Sequence, residues 1–161
     1  NSLLQAVRKI SVPYRLLLVG DFISKSYQQA LKPLIERLPV ICRPYVSEHE
    51  FWNLVAITDI CVNLRSPSAG ETSGIVVKLA AAGKPVIVTG GQESIRYPVD
   101  SFWKVDAGEM EIIMLSEMLQ VLAKDQLLRV SVGAGAKQYV LDHHSLPKVL
   151  KLYQQALQVT S

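Results

Sequence analysis

Cysteine is scarce in this chain: only Cys42 and Cys61 occur among 161 residues. Neither lies in a CxxC pair or at metal-ligand spacing from a histidine, which argues against a disulfide scaffold and the common zinc sites, so we predict no metal. Both cysteines fall in apolar, strand-like runs, where a free thiol packs as a small core side chain. Reduced cysteines favour a cytoplasmic location.

Runs of one charge and long apolar runs are also absent. Seventeen basic residues oppose fourteen acidic ones, which leaves a net charge of +3 without clusters. This distribution argues against nucleic-acid binding and against a polybasic membrane patch. No apolar segment has the length of a membrane span, and residues 1–10 resemble a helix entered midway rather than a signal peptide. We therefore expect the sequence to begin inside a longer polypeptide.

Several catalytic motifs are missing. No GxGxxG follows the first predicted strand, and there is no GxxxxGK[ST], which weighs against a dinucleotide oxidoreductase and a P-loop enzyme. The chain also assembles no Ser/His/Asp, Cys/His or paired-carboxylate pattern of a hydrolase. We therefore expect the protein to use no cofactor.

What the sequence does contain is an alternation of short apolar runs and amphipathic segments. The order predicts a single Rossmann-like α/β domain over residues 1–161, with a doubly wound parallel sheet and C-terminal helices. The Ser47/Glu50 capping box opens one of its helices. The predicted strands span residues 14–19, 40–42, 60–64, 85–88 and 102–105; the predicted helices span 26–37, a segment after Ser47, 75–82, and three pieces from Glu109 onward, with breaks near 124–125 and 144–145.

The segment from Arg65 to Gly74 has the composition of an anion-binding loop. It combines glycines, hydroxyls and other small residues directly before an apolar helix, whose first N–H groups are unpaired and carry a partial positive charge. Ligands of α/β sheets bind beyond the carboxyl ends of the strands, where this loop, the first strand's end and the turn-rich stretch 89–93 all fall. The residues predicted to bind a phosphorylated ligand are Gly20, Asp21, Gly70, Thr72, Ser73, Gly74 and Lys78, with Arg43, Val46 and Arg65 at the rim.

Two charged residues near this loop each allow two interpretations. The helix at 75–82 is apolar on every side apart from Lys78, so we expect it to be enclosed by protein. Lys78 then either pairs with an anion, because a cation near a helix start opposes the helix dipole, or extends its charge to the surface. Glu71 is either a helix-capping carboxylate or an acceptor for sugar hydroxyls.

At these residues the chain resembles a known family. The run "NLRSPSAGETSGIVVKLAAAGKPVIVTGG", preceded by "EFWNLVAITDICV", is similar to the C-terminal, donor-binding domain of GT-B-type retaining glycosyltransferases, glycosyltransferase family four. "RLLLVGD", "RPYVSEHEFWNLVAITD" and "HHSLPKVLKLYQQAL" extend the similarity over nearly the whole chain.

The resemblance implies a function. Such a domain binds a nucleoside diphosphate sugar without a metal, and the enzyme transfers the sugar to an acceptor hydroxyl with retention of configuration. Glu71 matches the first of the family's two glutamates, which contacts the transferred sugar, so it is the expected catalytic residue. The second glutamate, which holds the ribose, corresponds to Lys78 counting back from Gly83, or to Leu79 counting forward from Glu71.

The resemblance also implies missing parts. The family's domain opens with a central strand and an Arg/Lys diphosphate clamp, which this sequence lacks, together with the N-terminal acceptor domain. Expected partners are therefore the nucleotide sugar and that domain of the same polypeptide, through which the protein would lie at the inner membrane. Without the central strand, either the five strands close up or another chain supplies an edge by self-association. The rival interpretation is a non-catalytic, flavodoxin-like module that binds a phosphorylated ligand.

Overall fold

A computed structural model describes residues 1–65 and 71–159 of the chain. The predicted order of elements is confirmed, with ends shifted by a few residues. Gly70, predicted to bind ligand, lies outside the described residues. The strands are β1 (Leu16–Val19), β2 (Val40–Arg43), β3 (Cys61–Asn63), β4 (Val86–Thr89) and β5 (Phe102–Val105); the helices are α1 (Ser2–Val7), α2 (Lys25–Ile35), α3 (Glu48–Ala56), α4 (Gly74–Ala81), α5 (Glu111–Lys124), α6 (Gln126–His144) and α7 (Leu146–Val159), and a 3-10 helix spans Gln92–Ser94.

Side-chain caps fix where four of the helices begin. Ser24, Ser47 and Ser73 accept hydrogen bonds from the amides of Tyr27, Glu50 and Val76, and Asp125 accepts one from the amide of Leu128. Each bond satisfies an amide that has no acceptor within its own helix. These helix starts are therefore set by residues that can be recognised in the sequence.

All strand pairs are parallel, and the α/β fold class with C-terminal helices is confirmed. β1 pairs with β2 in one sheet, and a second sheet has the order β3-β4-β5, with β5 at its edge. The register places Val19 opposite Arg43 in the first sheet and Thr89 opposite Val105 in the second. The carboxyl ends of neighbouring strands thus lie level within each sheet.

The chain forms two compact units, each built from two separate segments. The first unit contains Asn1–Ile57 and Gly108–Lys124, and the second contains Thr58–Ala107 and the chain from Asp125 onward. The polypeptide therefore passes from one unit to the other three times.

The second unit has its core around β4, whose four residues are all buried. α4 and α6 pack together and contribute buried side chains on this side, among them Val76, Leu79, Val132 and Ala136. α6 approaches the turn after α4 so closely that a Cβ at Gly133 would collide with the backbone carbonyl of Gly83. Gly83 itself has φ +72°, a conformation that favours glycine and ends the helix.

The first unit is packed mainly by helices. α1 lies against α5, and the buried residues include Leu4, Val7, Leu115 and Leu119. The continuous apolar run at 14–19 is typical of a buried strand, but that interpretation is wrong, because no residue of β1 is fully buried. β2 is more exposed still, and Cys42 lies at the surface rather than in the core. In a two-stranded sheet each strand has a partner on one side only, which leaves more of its surface open to solvent.

α4 is not enclosed on all sides, which corrects the expectation from its apolar sequence. Ile75 is 44% exposed, and Lys78 is exposed on the same helix. Because α4 ends at Ala81, Lys78 lies in its last turn, where the helix dipole stabilises a cation.

Within the described ranges, no helix is both long and apolar enough to cross a bilayer.

Candidate functional site

A cleft in the second unit lies where β3 and β4 end and α4 begins. Its position is the one at which α/β folds bind ligands. The cleft itself is small, with room between its walls for about one water molecule. It is lined by Asn63, Arg65, Ser73, Val76, Val88, Thr89, Glu93, Ser94 and Tyr97.

The start of α4 forms one wall. Ser73 is the N-cap: its hydroxyl accepts a hydrogen bond from the Val76 amide at 3.4 Å and lies 3.5 Å from the Asn63 side-chain oxygen. The amide N–H groups of Gly74 and Ile75 lie in the first turn of α4, where no acceptor within the helix is available to them. Among the described residues, nothing lies within 4 Å of the position that a Cβ on Gly74 would take. These amides make the N-terminus of α4 a favourable place for an anion.

Arg65 and Glu71 form an ion pair at the mouth of the cleft. The guanidinium donates a hydrogen bond to the Glu71 carboxylate, and its other nitrogen lies 3.5 Å from the Glu71 backbone oxygen. This hydrogen bond lowers the pKa of Glu71 and raises the pKa of Arg65, so both groups are charged at neutral pH. The side chains remain 31% and 52% exposed, respectively. A ligand therefore has access to both charges.

The segment after β4 forms the opposite wall. Thr89 accepts a hydrogen bond from the Arg65 amide at 2.9 Å, which joins the ends of β3 and β4. Ser94 donates to the Thr89 carbonyl at 2.9 Å and accepts from the Gly91 amide at 3.0 Å. Ser94 is 1% exposed, so these bonds hold the Gln92–Ser94 turn firmly against the strand and place Glu93 on the cleft. Thr89 and Glu93, from the turn-rich stretch 89–93, thus line the cleft, and a ligand-facing role for this stretch stays a prediction.

Of the predicted site residues, Arg65 and Ser73 line this cleft, and Glu71 joins through its ion pair. Gly74 begins α4, and Thr72 is exposed just before it. Lys78 is not among the lining residues. Its assignment to the ribose stays a prediction.

The other predicted residues belong to the first unit. Gly20 ends β1 with φ 113°, and its amide donates to the Arg43 carbonyl at 2.9 Å, so these two positions meet at the carboxyl edge of the β1-β2 sheet. Asp21 is exposed beside them, and Val46 is half-buried before α3. Their roles toward a ligand also stay predictions.

Sequence reasoning did not identify Asn63, Ser94 or Tyr97. Asn63 ends a strand directly before the predicted loop, which was an available signal. Tyr97 and Ser94 lie in a turn-rich stretch with no motif, and only the folded chain brings them to the cleft. Among the described residues, no group of three His, Cys, Asp or Glu side chains is arranged to hold a metal ion.

The topology and this cleft define a class of fold: the Rossmann-like α/β fold of one half of a GT-B protein. No protein-family model matches the chain, and no curated protein matches it. Solved structures do match. The Anabaena protein HepE, crystallised in complex with UDP-glucose, has a TM-score of 0.83 at 16% identity, with 98% of this chain and 44% of that chain covered.

Two further structures are similar over the same extent. Sucrose-phosphate synthase from Thermosynechococcus elongatus has a TM-score of 0.77 at 17% identity, covering 99% of this chain and 41% of its own. A glycosyltransferase from Rickettsia africae has a TM-score of 0.73 at 21% identity, covering 97% and 44%. The chain thus spans less than half the length of each of these proteins.

Proposed function

We propose that this chain is the donor-binding half of a GT-B glycosyltransferase of family four. It binds a nucleoside diphosphate sugar, and the sugar passes to an acceptor hydroxyl with retention of configuration. The observation that carries the proposal is the cleft at the ends of β3 and β4, where the N-terminus of α4 adjoins an accessible Arg65–Glu71 pair. The solved structures of like fold, one of them bound to UDP-glucose, support it.

The two halves of the site suit the two halves of such a ligand. Backbone amides at the α4 N-terminus favour the diphosphate, and they stabilise the charge that grows on it as the bond to the sugar breaks. Glu71 is kept ionised by Arg65, so it accepts hydrogen bonds from sugar hydroxyls and offers negative charge near the reacting carbon. Lys78 is proposed to serve the nucleotide, at the far end of α4 from Ser73.

We also propose that the acceptor site and a basic diphosphate clamp belong to another domain of the same cytoplasmic polypeptide, which lies peripherally at the membrane. The chain covers 44% or less of each structure cited above, which supports this division. On this basis the chain alone binds donor but does not transfer sugar.

Titration calorimetry of the purified chain with UDP-glucose, UDP and inorganic phosphate tests the proposal. We expect UDP-glucose and UDP to bind and free phosphate to bind far more weakly. Glu71→Gln should weaken UDP-glucose binding about three- to tenfold, because a charge-assisted hydrogen bond to the sugar is lost. The affinity for UDP should not fall, because the substitution removes the ion-pair partner of Arg65 and leaves its positive charge in place.

Asp142→Asn is the matched control, because Asp142 is an exposed carboxylate on α6 that bonds to Gln138 and does not line the cleft.

Lys78→Met should weaken UDP binding if Lys78 serves the nucleotide. Equal binding of free phosphate and UDP-glucose would favour the flavodoxin-like module instead.

A further inference from the structure

The hydroxyl of Tyr97 is a buried polar group with no hydrogen-bond partner in the part of the chain that the structure describes. Tyr97 is 6% exposed, and among the described residues its hydroxyl oxygen has no hydrogen bond. Most buried polar side-chain atoms in folded proteins are hydrogen-bonded, because desolvation without a partner is costly. A buried hydroxyl with no described partner, on a residue that lines the cleft, therefore points to a ligand atom that completes it.

The ring of Tyr97 is held in place on two sides. It stacks on Phe102 with ring centroids 4.5 Å apart, and Tyr139 meets it edge-on at 5.6 Å. Both neighbours belong to the same unit, and Phe102 is 1% exposed in the core. Because the ring is packed, the hydroxyl cannot swing out to bulk water. Tyr97 lines the cleft together with Arg65 and Glu93.

The hydroxyl is a donor at neutral pH. Burial raises the pKa of Tyr97, and the neighbouring Tyr139 and Glu93 raise it further, against a smaller opposite effect of Arg65. A neutral phenol donates one hydrogen bond, so its natural partner is an oxygen acceptor. Phosphate oxygens and sugar hydroxyls both meet that requirement.

We propose that Tyr97 is a ligand-binding residue of this cleft, whose O–H donates a hydrogen bond to an oxygen of the bound nucleotide sugar. The inference rests on the proposed function and adds a residue that neither the loop motif nor the family pattern contains. In the ligand-free protein the unsatisfied hydroxyl lowers the stability of the fold, and ligand binding supplies the missing hydrogen bond. A purely structural tyrosine would have its hydrogen bond already.

Tyr97→Phe tests this assignment, because it removes the hydroxyl and keeps the ring packing. We expect the variant to melt about 2–4 °C higher without ligand, since an unsatisfied buried group is gone. We expect it to bind UDP-glucose about three- to tenfold more weakly by calorimetry. Tyr139→Phe is the control: it lies in the same aromatic cluster, does not line the cleft, and should leave the affinity unchanged.

The outcomes separate the two proposals. If UDP binding weakens as well, the acceptor is an oxygen of the UDP portion; if only UDP-glucose binding weakens, it is an oxygen of the glucose. A lower melting temperature with unchanged affinity would overturn the inference and indicate a buried water as the partner of the hydroxyl. If the unaltered chain binds neither UDP-glucose nor UDP, the proposed function fails, and the role of Tyr97 fails with it.

Discussion

Cys42 and Cys61 have the same side chain but differ in reactivity because of where they lie. Cys42 is exposed on β2, whereas Cys61 is buried in β3, and burial raises the pKa of its thiol to about 11. The thiolate is the reactive form, and at pH 8 about one part in a thousand of a thiol with such a pKa is ionised. The two thiols should therefore react on very different timescales.

We predict that a maleimide or Ellman's reagent at pH 8 modifies one thiol rapidly in the folded chain and the second only after denaturant is added. Mass spectrometry after partial reaction should place the label on Cys42. Cys42→Ser should abolish the fast phase and leave the slow one intact. A fast phase that accounts for two thiols would contradict the burial of Cys61.

The residues that line the cleft were only partly predictable from the sequence. Arg65 and Glu71 were each recognisable from the loop sequence, but nothing in the loop sequence indicated the ion pair between them. Thr89 and Glu93 fell in a stretch expected to face ligand. Tyr97 had no local signal, because its role comes from ring packing against residues distant in sequence.

Two helix starts show what local sequence can predict about secondary structure. Ser47 and Asp125 cap their helices through bonds to amides three residues on, so the information is local. Burial of β1 was not predictable in this way. The apolar run Leu16–Val19 is typical of a central strand, yet exposure depends on which elements cover it, and β1 has only β2 beside it in its sheet.

The contact between α6 and the turn after α4 gives a prediction at the element scale. Gly133→Ala should destabilise the protein by roughly 1–3 kcal/mol, because the new methyl group meets the Gly83 carbonyl, part of a backbone that cannot rotate away. Gly135→Ala is the comparison on the same helix, since its methyl meets the Ser101 side chain, whose hydroxyl can turn aside and whose Cβ, at 3.1 Å, needs only a small shift. Both substitutions gain similar helix propensity.

Urea unfolding followed by circular dichroism measures the difference between these two variants. The Gly133 variant should show the lower midpoint with an unchanged slope. Equal midpoints would mean that α6 is free to shift away from the turn.

The interleaving of the two units gives a prediction for the whole molecule. A fragment of residues 1–107 lacks α5 and α6, and with them the buried side chains Leu115, Leu119, Val132 and Ala136. Both units lose a covering helix at once, so we expect this fragment to be unfolded. A fragment of residues 1–145 should keep its fold, because no described side chain of α7 is buried. Circular dichroism and amide-proton NMR dispersion compare the two.

The threefold crossing of the chain also has a consequence for synthesis on the ribosome. The first unit is not complete until α5 has emerged, by which time every strand of the second unit has already left the exit tunnel. The helix α6, which completes the unit around the buried strand β4, is synthesised more than thirty residues after that strand. A nascent chain of this kind exposes apolar surface during elongation, so its yield in cells should depend on chaperones that bind nascent polypeptides.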